Sequence, residues 1–289
     1  KNNHNWTRDQ LIAILYNHIE NVGAHFKGKV KEWDVVNEML DDDQSVVRDN
    51  PDSYKLRESV WQTVIGEEYM KLALEKAHEV DPDAKLFINE YGSEFMGDPK
   101  SEALFNLAKK LKESGAPLHG VGLQCHLTVG EVKADKLADN IRRYRDLGLE
   151  VIITELDIAQ LDPTAPDAAS RQAEEYGALV NAALSQSNCP AVTLWGISDP
   201  DSWRANKPLL YDNAMNPKEA FHAVHAAVRL QAEKVSGIET IETPAASEIV
   251  RTEYYNIQGM RVTESATGLV IKCEYHSDGT VTRAKEYRY

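Results

Sequence analysis

Cysteine is scarce in this chain: three residues, Cys125, Cys189 and Cys273, stand far apart in 289. An odd, sparse set builds no disulfide framework and has no metal-ligand spacing, so the thiols read as buried small side chains. Positive charge is also short, with 32 Lys and Arg against 46 Asp and Glu and a net charge of −14. Without clustered cations to neutralise phosphates, a duplex nucleic-acid partner is excluded. No apolar run is long enough to cross a bilayer. No glycine-rich turn follows a strand-like segment, which speaks against a nucleotide-binding sheet. The chain opens at Lys1 with neither Met nor a charged-then-apolar leader, and is read as a piece of a longer polypeptide. The hydrophobic content of 42% suffices for a buried core.

What is present is an alternation of short apolar strands and helices. Thr7 and Gln10 have capping-box spacing, and Leu11, Leu15, Ile19 and Val22 recur on one face, so a helix is predicted over 7–24. A Val- and Trp-rich strand follows over 30–38. The acidic run 41–43, continuing to Pro51, reads as a solvated loop without the ligands of a calcium site. A helix over 61–79 closes at Asp81-Pro82. Strand and helix then repeat as 85–91 and 101–114, 120–126 and 134–147, 150–156 and 168–185, 191–197 and 217–232. Five strands separated by helices predict a parallel sheet with helices outside, either an open doubly wound sheet or part of an eight-stranded barrel. Near Glu233 the composition shifts. Residues 1–233 form the α/β part, 234–247 read as a Ser-, Thr-, Glu-, Ala- and Pro-rich linker, and 248–289 as a small all-β appendage with turns at Gln258-Gly259 and Ser277-Asp278-Gly279.

Polar residues gather where each strand ends: Asn37-Glu38, Asn89-Glu90-Tyr91, Gln124 with His126, Glu155 with Asp157, and Trp195 with Asp199. In a barrel this is the face that carries catalysis. Cleaving a glycosidic bond calls for two carboxyl groups, one to protonate the leaving oxygen and one to attack the anomeric carbon or activate water. Glu38 and Glu155 are placed to be that pair. Taken alone, each is equally a salt-bridging strand-end residue, and His126 alone a satisfied core histidine.

The surrounding motifs are narrower. Trp33-Asp34-Val35-Val36-Asn37-Glu38, Gly122-Leu123-Gln124-Cys125-His126, Thr154-Glu155-Leu156-Asp157, Leu194-Trp195-Gly196-Ile197-Ser198-Asp199 and Ser202-Trp203-Arg204 occur in that order. Together they resemble glycoside hydrolase family 10 endo-β-1,4-xylanases over about residues 5–230. The resemblance implies a (β/α)8 TIM barrel, of which the chain supplies about strands four to eight, and a retaining mechanism. It makes Glu38 the acid/base and Glu155 the nucleophile. It gives Asn37 a bond to the sugar 2-hydroxyl, sets Gln124 on Glu38, and sets His126 on Glu155 with Asp157 behind it. Trp195 and Trp203 would floor the cleft, Tyr91 would lie on the leaving-group side, Asn89 is the strand-end Asn, and Arg204 supports the loop. The family often has Asn-Asp-Tyr-Asn where this chain has Asn89-Glu90-Tyr91-Gly92, a departure that bears on the leaving-group subsites. Trp6, Trp33 and Trp61 read as structural.

The expected substrate is xylan or xylo-oligosaccharide, with no cofactor and no metal. Strands one to three of the family barrel have no counterpart here, so the expected partner is the missing N-terminal part, through truncation or through an upstream insertion. The alternative reading is a non-catalytic carbohydrate-binding fragment; a glycosidase of other β-1,4-glycans is a nearer variant, and a metal-using barrel is disfavoured by the absent ligand set. The tail, with Glu253-Tyr254-Tyr255-Asn256-Ile257-Gln258-Gly259 and Ser277-Asp278-Gly279-Thr280, resembles the C-terminal β modules linked to export or sorting on secreted Bacteroidetes proteins, which implies a sorting-like module over 248–289 and a secreted, periplasmic or surface location.

Overall fold

The computed structural model describes residues 5–236, 249–277 and 281–288. The chain divides into two compact units, Lys1–Ala232 and Glu233–Tyr289.

In the first unit, helix α1 (Arg8–Phe26) begins with the expected capping box: the Thr7 side chain accepts from the Gln10 backbone and the Gln10 side chain returns the bond. Leu11 is its one buried residue, with Ile12, Leu15 and Ile19 packed against the core. Strand β1 (Glu32–Asn37) follows, then short helix α2 (Val46–Asp49) inside the acidic loop. The helix expected over 61–79 is in fact two, α3 (Val60–Val64) and α4 (Tyr69–Val80). The break falls at Gly66, whose φ of 91° suits glycine and ends a helix. Then come β2 (Lys85–Glu90), α5 (Pro99–Glu113), β3 (Gly120–Leu123), β4 (His126–Thr128), α6 (Ala134–Asp146), β5 (Glu150–Ala159), α7 (Ala168–Leu184), β6 (Val192–Leu194) and α8 (Glu219–Ser236). One short 3-10 turn, Asp199–Asp201, precedes α8.

Every pairing in this sheet is parallel: β1 with β2, β2 with β3, β3 and β4 with β5, and β5 with β6. This is the α/β barrel sheet, built from consecutive strands with helical crossovers. The strand expected over 120–126 is interrupted, because Cys125 takes a left-handed φ of 59°. Both pieces still lie along β5, which continues to Ala159, three residues past the expected end. β6 is shorter than expected because Gly196 turns the backbone at φ 132°. Among the described residues, the outer edges of β1 and β6 have no strand beside them.

The central strands of the sheet, β2 and β3, are buried, whereas β1 and β6 at its edges are partly exposed. Leu86 and Ile88 of β2 and Val121 and Leu123 of β3 are inaccessible, as are Leu104 and Leu107 of α5. Each such side chain contributes about 1.5–3 kcal/mol on burial. Close packing fixes residue choice at Gly122: a Cβ there would lie 2.3 Å from the Asn89 Oδ1 and 2.8 Å from Thr154 Cγ2.

The second unit is a four-stranded antiparallel sheet, ordered β10-β9-β7-β8, of β7 (Ile249–Asn256), β8 (Arg261–Val262), β9 (Gly268–His276) and β10 (Val281–Arg288). Helix α8 runs three residues into the segment expected to be a linker; residues 237–247 lie outside the described residues, as do 278–280 of the second expected turn. Cys125, Cys189 and Cys273 are all buried free thiols.

Candidate active site

The site forms where β1 to β6 end. Asn37 closes β1, and Glu38 follows it in the left-handed region with φ 54°, its amide donating to Asn89 O at 2.9 Å. A non-glycine residue held there is strained, and such strain gathers at functional sites. Glu155 lies within β5 and is 9% exposed, whereas the Glu38 side chain keeps 37% exposure. Both face one cavity of about 550 Å3.

A path of hydrogen bonds joins the two carboxyls. Asn89, buried at the end of β2, donates its amide to Glu155 Oε1 at 2.7 Å and to Asn37 Oδ1 at 3.0 Å. Thr154 Oγ1 donates to Asn89 Oδ1 at 2.7 Å, which fixes the amide's orientation. Gln124 donates to Asn37 Oδ1 at 3.2 Å and reaches Glu38 Oε1 at 3.4 Å. On the other side, His126 Nε2 lies 3.1 Å from Glu155 Oε2 and its Nδ1 lies 2.9 Å from Asp157 Oδ2. Burial disfavours the imidazolium, but the hydrogen bonds and charges of Asp157 and Glu155 outweigh it and raise the His126 pKa.

Asp157 is fully buried and serves three side chains at once. Besides His126 it accepts from Trp203 Nε1 at 3.0 Å and from Arg204 Nη1 at 2.6 Å. Arg204 also donates to Leu127 O at 2.7 Å and Thr128 Oγ1 at 3.1 Å, tying the loop after β6 to β4. Trp203 and Trp195 stand edge-on to His126, with ring centroids at 5.0 and 6.3 Å. Both tryptophans are exposed, 49% for Trp195 and 65% for Trp203, and both line the cavity. Exposed indoles in a concave site suit the apolar faces of pyranose rings.

All ten residues singled out in the sequence converge here. Eight line or reach the cavity; Asn89 and Asp157 are buried behind it and act through Glu155 and His126. Sequence reading missed a cluster beneath Tyr91. Arg57 Nη1 lies 3.6 Å from Glu38 Oε2, and its Nη2 donates to the Tyr91 hydroxyl at 2.6 Å. The Tyr91 hydroxyl donates to Asp42, which Lys100 also binds at 3.0 Å, so Asp42 is engaged although exposed. Lys100 sits 3.4 Å from the Tyr91 ring centroid and 3.1 Å from Glu90 Oε1. Glu90 is inaccessible; burial raises its pKa, opposed by Lys100 and by the Leu40 and Tyr91 amides. Only the contrast of Arg57 and Lys100 with an acidic neighbourhood could have signalled this cluster. Asp34 of β1 was passed over as well: its carboxyl is pushed up to about 6, by desolvation first and then by the charges of Glu155 and Glu32. No group of three or more His, Cys, Asp or Glu among the described residues is disposed to hold a metal ion. No described helix is long and apolar enough to cross a membrane.

Paired carboxyls offered to one cavity from the ends of parallel strands, beside exposed tryptophans, are the constellation of a barrel glycosidase. The chain belongs to glycosyl hydrolase family 10, whose model matches residues 1–227. It is 40% identical over 234 residues to a beta-1,4-xylanase of Dictyoglomus thermophilum, covering 74% of this chain and 63% of that protein. It is 35% identical over 226 residues to endo-1,4-beta-xylanase B of Thermotoga neapolitana, covering 76% and 62%. The solved xylanase 10B of Thermotoga maritima superposes with a TM-score of 0.73 at 34% identity, covering 80% of this chain and 70% of that one. Xylanase 10B of Thermotoga petrophila, solved with xylobiose, superposes at 0.72 over 79% and 68%. The chain thus spans less than two thirds of the length of these curated relatives.

Proposed function

We propose that this chain is the C-terminal part of the barrel of an endo-1,4-β-xylanase, carrying strands four to eight. It would cut internal β-1,4-xylosidic bonds of xylan by retaining double displacement. Glu38 protonates the leaving oxygen and later deprotonates water; Glu155 forms the glycosyl ester. The observation that carries this reading is the bonded path from Glu155 through Asn89 and Asn37 to Gln124 and Glu38. It holds the nucleophile and the acid/base in one frame, and Asn37 is at hand for the 2-hydroxyl. His126, held by Asp157, donates to Glu155 and leaves the other carboxylate oxygen for Asn89. The relatives' names, with a xylobiose complex among the solved ones, support xylo-oligosaccharide as the substrate.

The test is reducing-sugar release from xylan and from carboxymethyl cellulose, with Glu155→Ala alongside. Release from xylan that falls by about 10⁴-fold or more in the variant fits loss of a covalent nucleophile. NMR of the first product anomer decides retention. A folded chain that binds xylo-oligosaccharide without turnover favours the second reading, a non-catalytic carbohydrate-binding fragment, which the unpaired edges of β1 and β6 support. Restoring a strand-one-to-three segment then decides whether the partner is the missing N-terminal part. The units are proposed as residues 1–233 and 248–289 with a linker between. The second is proposed as a β module of the type found on secreted Bacteroidetes proteins, and the whole as secreted, periplasmic or surface-bound. Cell fractionation of the source organism tests that location.

A further inference from the structure

The two faces of the C-terminal sheet differ in charge. Register assigns Arg251, Tyr275 and Val281 to one row, Glu253, Cys273 and Arg283 to the next, and Tyr255, Ile271 and Lys285 to a third, with Arg261 opposite Tyr255. Directly opposed residues share a face, so these side chains lie together. Arg251, Arg261, Arg283 and Lys285 are all exposed. The one carboxylate among them, Glu253, is 7% exposed and lies beneath the cations, 3.7 Å from Arg251 and 3.3 Å from Arg261. Its Oε2 accepts the hydroxyls of Tyr255 at 2.7 Å and Tyr275 at 3.0 Å. The second face is internally balanced: Lys272 pairs with Glu274 at 2.5 Å, and Arg288 with Glu286 at 2.6 Å.

One buried carboxylate is thus saturated by two tyrosines and two arginines, while Arg283 and Lys285 have no carboxylate partner among the described residues. They stand two residues apart on β10, about 7 Å along the strand. The result is a fixed cationic surface with tyrosine rings between the charges, on a chain whose net charge is −14. A carboxylate ligand meets an arginine fork in bidentate geometry, and Arg283 is the arginine of this face that Glu253 does not engage. The geometry points to this face of β7–β10 as a binding surface for uronate-bearing polysaccharide. The cations are spread across the strands from Arg261 to Lys285, which suits a linear chain laid over the sheet; the exposed Ile257 and Met260 of the β7–β8 turn make a lipid surface the competing occupant that the test must exclude. The inference stands apart from the catalytic reading, since it concerns binding by the other unit.

The test is native electrophoresis of the full chain in gels containing polygalacturonate, with neutral glucomannan as the control polymer. The wild type is expected to be retarded by polygalacturonate alone, with retardation falling as salt rises. Arg283→Gln with Lys285→Gln should weaken binding at least tenfold, whereas Lys272→Gln on the opposite face should leave it unchanged. A circular-dichroism melt equal to wild type for the double variant secures the comparison. Glu155→Ala is expected to bind polygalacturonate like wild type whatever becomes of xylan cleavage, which separates this result from the catalytic test. The inference is overturned by a wild type that is not retarded or by a double variant that binds unchanged. Tighter binding to phosphatidylglycerol vesicles or single-stranded DNA than to polygalacturonate would overturn it equally.

Discussion

Gly122 shows how a single missing atom positions the chemistry. The space its Cβ would fill holds the Asn89 amide, which in turn holds Glu155. Gly122→Ala is therefore expected to displace Asn89 and to cost about 1–3 kcal/mol in overpacking. A chemical melt reads the loss, and a crystal structure of the variant should show the Asn89–Glu155 bond broken; an unmoved Asn89 would refute the account. Asp34 makes a prediction of opposite sense. Its folded pKa, about 6, lies above the ordinary carboxylate value, so its contribution favours the folded state at low pH and is lost as pH rises through about 6. Asp34→Asn should raise the melting temperature at pH 7.5, and the gain should vanish below about pH 4. At this scale the sequence was legible where a motif marked a strand end: Glu38, Glu155, Gln124 and His126 all reach the site. Arg57 and Lys100 were not legible, since each comes from loop or helix far from the motifs and meets Tyr91 only through folding.

Among elements, the break between β3 and β4 matters most. The predicted single strand would point Gln124 and His126 to the same side by simple alternation, and the left-handed Cys125 between them changes how they are delivered. Gln124 turns to Asn37 and Glu38, and His126 to Glu155 and Asp157. Buried Glu94 secures this corner, accepting the Cys125 amide at 3.0 Å and the Gly92 amide at 3.1 Å through one oxygen. Burial raises the Glu94 pKa, against those amides. Glu94→Gln preserves an acceptor and should melt near wild type. Glu94→Ala strands two buried amides and should cost about 1–3 kcal/mol for each; hydrogen exchange at Cys125 and Gly92 would show it, and equal protection in both variants would sink the idea. Helices and strands were legible through hydrophobic period and turn residues. Their interruptions at Gly66 and Cys125 were not, because periodicity continues across a local change of φ.

For the molecule as a whole, the structure divides into compact units at Ala232, within a helix that continues to Ser236. An all-β tail of this size buries few side chains completely; among its described residues, Val270 and Cys273 are the buried apolar ones. Arg251 lies over the ring of its cross-strand neighbour Tyr275 at 4.1 Å, and Arg288 reaches across β9 to the Tyr254 ring at the same distance.

The open outer edges of β1 and β6 also govern how copies of the chain behave in a crowded solution. An unpaired strand edge is a template for self-association, and proteins blunt it with charge or brevity. β1 carries two carboxylates, Glu32 and Asp34, and β6 is three residues long. With a net charge of −14, copies repel one another at neutral pH. Acidification removes both guards together, because Asp34 takes up its proton near pH 6 and the sequence pI lies near 5.1. Light scattering should find separate chains at pH 8 and growing clusters toward pH 5, and Asp34→Asn should move the onset of clustering to higher pH. Acidity that the composition presents as a bulk property thus acts at one strand edge, as the guard that keeps an open sheet from joining its neighbours.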